Sequence, residues 1–180
     1  MITKLSQIVD EARQRGARRL AVACAADAHT LEAVAAAAAE GIVSPILYGN
    51  SDTIIDICNR EGIDASGWEI INEKNDSSAV RMAVAAVSSG KADVLMKGLI
   101  STDAYMRGIL DKGILSHVSV IELPGRDRLL TVADVAVIPQ PDFKQKTTLI
   151  RYLIQTAKTL GIDCPKVACI APSEQVLPSV

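Results

Sequence analysis

Asp93–Arg107, DVLMKGLISTDAYMR, is the stretch on which the fold of this chain turns. A short apolar run, Val94-Leu95-Met96, ends in Lys97-Gly98, and Ser101-Thr102-Asp103 then reads as a helix start. That order is strand, tight turn, helix N-terminus. It sets a cation, a permissive glycine backbone and free helix amides at one edge of a sheet, the place where α/β proteins hold anionic groups.

Working outward, helical and strand-like segments alternate. Leu5, Ile8, Val9 and Ala12 mark one helix face, which Gly16 ends. Arg19–Ala25 reads as a buried strand, and Thr30 as the cap of the alanine-rich helix LEAVAAAAAE, stopped by Gly41. Ile42–Tyr48 is a second strand, Ser51 opens a helix to about Arg60, and a short strand lies near Trp68–Ile71. Ser77 or Ser78 starts a helix that ends at Gly90. Beyond Gly113 the pattern changes. Val118–Leu123 and Leu129–Val135 are strand-like runs joined by the turn-rich PGRDR, which fits a hairpin. Phe143–Leu160 is a long helix closed by Gly161, and Lys166–Ala171 reads as one more strand.

The βαβα order predicts an α/β protein, a three-layer αβα arrangement with a largely parallel sheet. Residues 1–113 form the expected first α/β domain and 114–180 the start of a second α/β subdomain. A strand such as KVACIA ordinarily feeds a covering helix, and only a short Ser/Pro-containing tail follows it, so the pattern reads as interrupted.

Composition narrows the function. Hydrophobic residues make up 49% of the 180 residues and aromatics 3%, so the core is built of Ala, Val, Ile and Leu, which suit close helix-on-sheet packing. A net charge of −2 supplies no basic face for nucleic acid. No apolar run reaches the ~18 residues of a membrane span. The charged, amphipathic N-terminus does not read as a signal peptide. Cys24, Cys58, Cys164 and Cys169 lack metal-site spacing; Cys24 and Cys169, inside apolar runs, read as small core residues. Their usage fits the reducing cytoplasm.

Four constellations could carry chemistry. Lys97-Gly98 with Ser101-Thr102 reads as an anion site, or as an ordinary strand-to-helix turn with Ser101 as N-cap. Arg107, on the same helix, has a guanidinium that can grip phosphate in a bidentate manner, yet Asp103 and Asp111 at i−4 and i+4 would make an exposed ion-pair ladder. Arg126-Asp127-Arg128 reads first as a solvated hairpin tip. The loop Pro139-Gln140-Pro141-Asp142 could shape a pocket, or Asp142 could simply cap the next helix. His29 and His117 have no Ser-His-Asp order and no H-E-x-x-H around them. Neither a Walker motif nor G-x-G-x-x-G occurs, which argues against a nucleoside triphosphate or NAD site.

Three blocks in order carry a resemblance: LMKGLISTDAYMRGIL (95–110), LSHVSVIELPGRDRLLTVADVAVIPQPDFKQKTTLI (115–150) and LGIDCPKVACIAPSE (160–174). Together they resemble the phosphate acetyltransferase and phosphate butyryltransferase family, the butyryl branch more closely. The resemblance is strong over 90–174 and extends to the first 90 residues in layout. It implies a fold like that of the isocitrate and isopropylmalate dehydrogenases, with two α/β domains flanking a cleft. The implied reaction moves a short acyl group, butyryl or acetyl, between coenzyme A and inorganic phosphate. Coenzyme A is then a substrate, and neither a resident cofactor, a metal nor a covalent acyl-enzyme is needed. A cytoplasmic homodimer is the expected form. The family's helix-borne arginine falls on Arg107, its strand-end turn on Met96–Gly98, and its proline-rich loop, with Gln140, on Pro139–Asp142. The acetyl branch has asparagines where this chain has Ile138 and Gln140.

Members of the family are longer, and their last third carries a serine-arginine pair and an aspartate that serves as general base. The resemblance therefore implies that the C-terminal third is lacking, and those roles fall on no residue of this sequence. Two further readings stand beside the acyltransferase: a non-catalytic assembly module of the same fold, and an acyl-carrier-protein phosphate acyltransferase.

Overall fold

Alternation within a single strand builds the three layers. In the computed structural model, which describes residues 1–109 and 114–170, β1 (Arg18–Ala23) lies between β2 (Val43–Gly49) and β4 (Val94–Lys97), with β3 (Glu69–Asn72) outside β2. All neighbours are parallel. Ala21 and Ala23 of β1 face one core with Ile46, Tyr48 and the helix α4 (Asp76–Ser88), through Ala79, Val80, Ala83 and Val84. Leu20 and Val22 face the opposite core with Leu47. There they meet α2 (Ala28–Ala39) through Leu31 and Val34, and α3 (Ser51–Glu61) through Ile54 and Ile57. Side chains of a strand alternate between faces, so the run RLAVACA, apolar on both faces, requires cover on both. The expected three-layer αβα unit with a parallel sheet is what forms.

The composition explains how closely the layers approach. Alanines of α4 meet alanines of β1, so helix and sheet are separated by little more than methyl groups. Gly108 of α5 (Thr102–Ile109) lies directly against the Val80 side chain of α4. Leu31, Leu47 and Ile54 are fully buried, and truncating one such residue to alanine costs about 2–5 kcal/mol.

Two helix starts differ from the sequence reading, for one reason. α2 is capped by Asp27, whose carboxylate accepts the Thr30 amide at 2.9 Å and the Thr30 hydroxyl at 2.7 Å. α4 is capped by Asn75, which accepts the Ser78 amide at 2.9 Å. Asp27 and Asn75 both stand in extended backbone with the side-chain oxygen turned onto the amide three residues on, the geometry of an N-cap. Thr30 and Ser78 are the donors in these bonds. The first helix, α1 (Leu5–Gln14), forms as expected, but it buries no side chain, with Leu5 44% and Val9 40% exposed.

The chain divides into two compact units, Val9–Gly113, which holds the parallel sheet, and Met1–Ile8 with Ile114–Val180. In the latter, β5 (Ser119–Glu122) and β6 (Leu129–Val132) pair antiparallel, Ile121 opposite Leu130. The turn between them uses Gly125 at φ 71°. The helix α6 (Phe143–Thr159) starts at a capping box in which Asp142 and Gln145 exchange hydrogen bonds. Leu129, Leu149, Ala157 and Leu160 form its buried centre. The N-terminal residues are tied in by the Ile2 amide to the Leu160 carbonyl at 2.8 Å and the Leu5 amide to the Glu122 carboxylate at 2.8 Å.

One expected strand does not form among the described residues. There, 166–170 pair with no neighbour, and Val167 and Ile170 are 39% and 92% exposed. An apolar, β-branched run becomes a strand only when a ladder takes up its amides and carbonyls, and β5–β6 does not extend to it. Cys169, read as a core residue, is exposed for the same reason, whereas Cys24 is buried as expected. Ala171 and the tail beyond it, and Asp111, lie outside the described residues.

Candidate functional site

The strand order reverses at β1. The chain runs outward from β1 to β2 to β3, then crosses back to β4 on the other side of β1. The helices that follow these two strands pack on opposite faces of the sheet, α2 after β1 on the Leu20/Val22 side and α5 after β4 on the α4 side. In open α/β sheets this topological switch point is where ligands bind. The turn Lys97–Thr102 lies at that place.

Gly98 makes the turn close. Its amide donates to the Ala23 carbonyl at 2.8 Å and the Leu99 amide to the Cys24 carbonyl at 2.9 Å. A β-carbon on residue 98 would overlap the Cys24 carbonyl oxygen. Cys24 itself adopts φ 56°, the left-handed region, to bring that carbonyl round. Lys97, the last residue of β4, is exposed, and its ammonium donates to the Gly98 carbonyl at 3.3 Å. Ser101 is exposed and caps α5, its hydroxyl accepting the Ala104 amide at 3.2 Å while its carbonyl accepts the Tyr105 amide. Among the described residues, the Thr102 and Asp103 amides have no backbone or hydroxyl acceptor, as expected for a first helical turn. Lys97, Gly98, Ser101 and Thr102 are thus brought together.

Arg107 is exposed, and its guanidinium is paired with Asp103 one turn earlier, both side chains 74% exposed. The helical ladder anticipated for it is present at Asp103. Gln140 is exposed in the loop before α6 and belongs to the other unit. Arg126, Asp127 and Arg128 are exposed at the hairpin turn, where Asp127 lies 3.7 Å from Lys4. His29 is almost fully exposed, 3.6 Å from Glu32. The Asp134 carboxylate accepts the backbone amide of His117 at 3.1 Å, and the ring Nε2 of His117 lies 3.4 Å from the Ser119 hydroxyl.

Three titratable groups of this unit are shifted from their ordinary values. The Asp27 carboxylate is held below its ordinary range by the hydroxyl and amide of Thr30, and Glu73 by the Asn75 amide. The buried Cys24 thiol lies 3.6 Å from the Asp76 carbonyl and is pushed up to about 11, mainly by burial, then by the Asp76 charge, with Lys97 opposing. The sequence reading missed two residues here: Cys24, whose backbone shapes the turn, and Leu99, 65% exposed beside Lys97. The signal available for Leu99 was a large aliphatic residue directly after the strand-ending Lys-Gly, where turns are usually polar.

A family model described as phosphate acetyl/butaryl transferase matches residues 73–179. The chain belongs to that family. It is 37% identical over 187 residues to the phosphate butyryltransferase of Clostridium acetobutylicum, covering 100% of this chain and 62% of that one. It is 34% identical to the phosphate acetyltransferase of Thermotoga maritima, covering 98% and 62%. A phosphotransacetylase of Streptococcus pyogenes has the same fold, with a TM-score of 0.79 at 20% identity over 97% of this chain and 65% of that one. The chain thus spans about 60% of the length of the curated relatives it matches. The family match begins just before α4 and includes the whole switch-point turn.

Proposed function

We propose that this chain takes part in moving a short acyl group, butyryl or acetyl, between coenzyme A and inorganic phosphate, with Lys97, Gly98, Ser101, Thr102 and Arg107 holding the phosphate. The observation that carries the proposal is the coincidence of the switch point with a Lys-Gly turn and a helix start, in a member of the phosphate acetyl/butaryl transferase family. Helix amides and a neighbouring ammonium favour an anion there.

In the forward direction, a phosphate oxygen attacks the thioester carbonyl. The tetrahedral oxyanion collapses, the carbon–sulfur bond breaks, and coenzyme A leaves as a thiolate that takes up a proton. Positive charge beside the reacting carbonyl lowers the energy of that oxyanion more than that of the ground state. The first amides of α5 suit this role because the helix orients them before substrate arrives, and Lys97 adds charge at the end of β4. Arg107 joins only by exchanging Asp103 for phosphate.

The same reading makes coenzyme A a substrate, places the protein in the cytoplasm as a homodimer, and assigns 1–113 to phosphate and 114–180, with Gln140, to a second subdomain. The test is phosphate-dependent release of thiol from butyryl-CoA, measured beside calorimetric titration with inorganic phosphate. Phosphate binding lost in Lys97→Met supports the site. Unchanged phosphate binding in that variant rejects it.

A further inference from the structure

Leu99 and Ile100 are adjacent apolar residues that part company. Ile100 packs against the α4-side core, while Leu99 is 65% exposed. Nothing in the backbone leaves Leu99 free to fold away. Its amide is held by the Cys24 carbonyl at 2.9 Å, and the amides on either side are held at 2.8 Å by Ala23 and at 3.0 Å by the Gly98 carbonyl. The main chain that carries this large aliphatic side chain is therefore held at the switch point, with most of the side chain in water. It follows Lys97-Gly98 directly and precedes the start of α5 by three residues. A ligand with an anionic head and a short hydrocarbon tail has that same pairing of charge and apolar surface.

We infer that Leu99 is the apolar wall for the acyl tail and sets the preference between two- and four-carbon acyl groups, an inference that rests on the phosphate site proposed above. Its side chain loses water when the tail lies against it, and each methylene so withdrawn is worth roughly fourfold in affinity. Two methylenes then allow a preference of up to about fifteenfold. Lys97 and the helix amides, which hold the head, contribute equally to both chain lengths.

Ethyl phosphonate, n-butyl phosphonate and inorganic phosphate serve as stable probes, titrated calorimetrically into the unaltered chain, Leu99→Ala and Leu99→Met. Leu99 makes no buried contact, so both variants should keep the unaltered circular dichroism spectrum. The expected result is a butyl-to-ethyl affinity ratio above one in the unaltered chain. It should fall about three- to tenfold in Leu99→Ala and be restored in Leu99→Met, while phosphate affinity stays constant. An unchanged ratio in Leu99→Ala with phosphate still bound overturns the inference and leaves the phosphate site standing. Failure of the unaltered chain to bind phosphate overturns both.

Discussion

Gly98 lies so close to the Cys24 carbonyl that no β-carbon fits between them. The obstruction is backbone on both sides: the Ala23 carbonyl oxygen and the Cys24 carbonyl carbon each stand 2.8 Å from the same point. Backbone held in a ladder cannot rotate away as a side chain can. Gly98→Ala must therefore part β4 from the end of β1 and weaken the hydrogen bonds that fix the turn. The expected loss is about 1–3 kcal/mol, read from the urea midpoint at constant slope. Gly67→Ala is the control: nothing lies within 4 Å of its β-position, so its midpoint should move by less than about 0.5 kcal/mol.

That crowding was not legible in the sequence, although its consequence was. The pattern of apolar strands with intervening helices located β1, β2, β3 and β4 within a residue or two, because strands buried on both faces leave long aliphatic runs and Gly41, Gly62 and Gly90 end helices in the left-handed conformation. Strand order is a different matter. Nothing local says that β4 pairs with β1 rather than β3, so the switch point that gives Lys97 its setting had to come from the ladder. KVACIA shows the converse limit. Its local pattern is strand-like, but a strand is defined by a neighbour, and residues 166–170 have none among the described residues. Arg107 was readable both as ligand and as ladder because spacing alone fixes which groups can meet, not which partner wins.

The thiols divide sharply by environment. Cys24 and Cys58 are 5% and 3% exposed, and Cys164 and Cys169 are exposed. Burial raises both inner thiols, Cys24 to about 11, and the thiolate is the reactive form. With an aromatic disulfide reagent at pH 8, two thiols should react quickly and two only in denaturant. A raised thiol also stabilises the fold fully below its ordinary value of 9.0, and that contribution is lost as pH rises toward about 11, since the unfolded chain ionises first. Rapid reaction of three or four thiols in buffer would contradict the buried setting of Cys24.

Arg19 and Asp93 clamp the opposite end of the β1–β4 pair. The Asp93 carboxylate accepts the Arg19 side chain at 2.8 and 3.0 Å and the Arg19 amide at 3.0 Å. These bonds, the guanidinium first, lower its pKa from 3.8 to about 2. Because the folded value is depressed, its contribution is present in full above about 4 and lost as pH falls through about 2. Asp93→Asn should flatten the acid limb of the stability curve between those values and leave the neutral plateau lower. Both side chains are partly exposed, so added salt should shrink the difference between the two curves.

The Asp103–Arg107 pair offers the cleanest way to separate the two cations at the turn. Both side chains are largely in water, so the pair adds only about 0.3–0.5 kcal/mol to the helix, and Asp103→Asn should leave the urea midpoint nearly unmoved. If Arg107 reaches phosphate by releasing Asp103, the same variant removes a competitor and a negative charge together, and phosphate affinity should rise up to about fivefold. Arg107→Gln should lower it, and Asp103→Asn should gain less on the Arg107→Gln background than on the unaltered one, since only the effect of the charge remains once the arginine is gone. Lys97→Met must weaken binding on every one of these backgrounds, because among the described residues Lys97 makes its side-chain hydrogen bond to the Gly98 carbonyl and not to a carboxylate. Equal affinities across the Asp103 and Arg107 variants, with Lys97→Met still weak, would confine the anion to Lys97 and the α5 amides and return Arg107 to the solvated ladder.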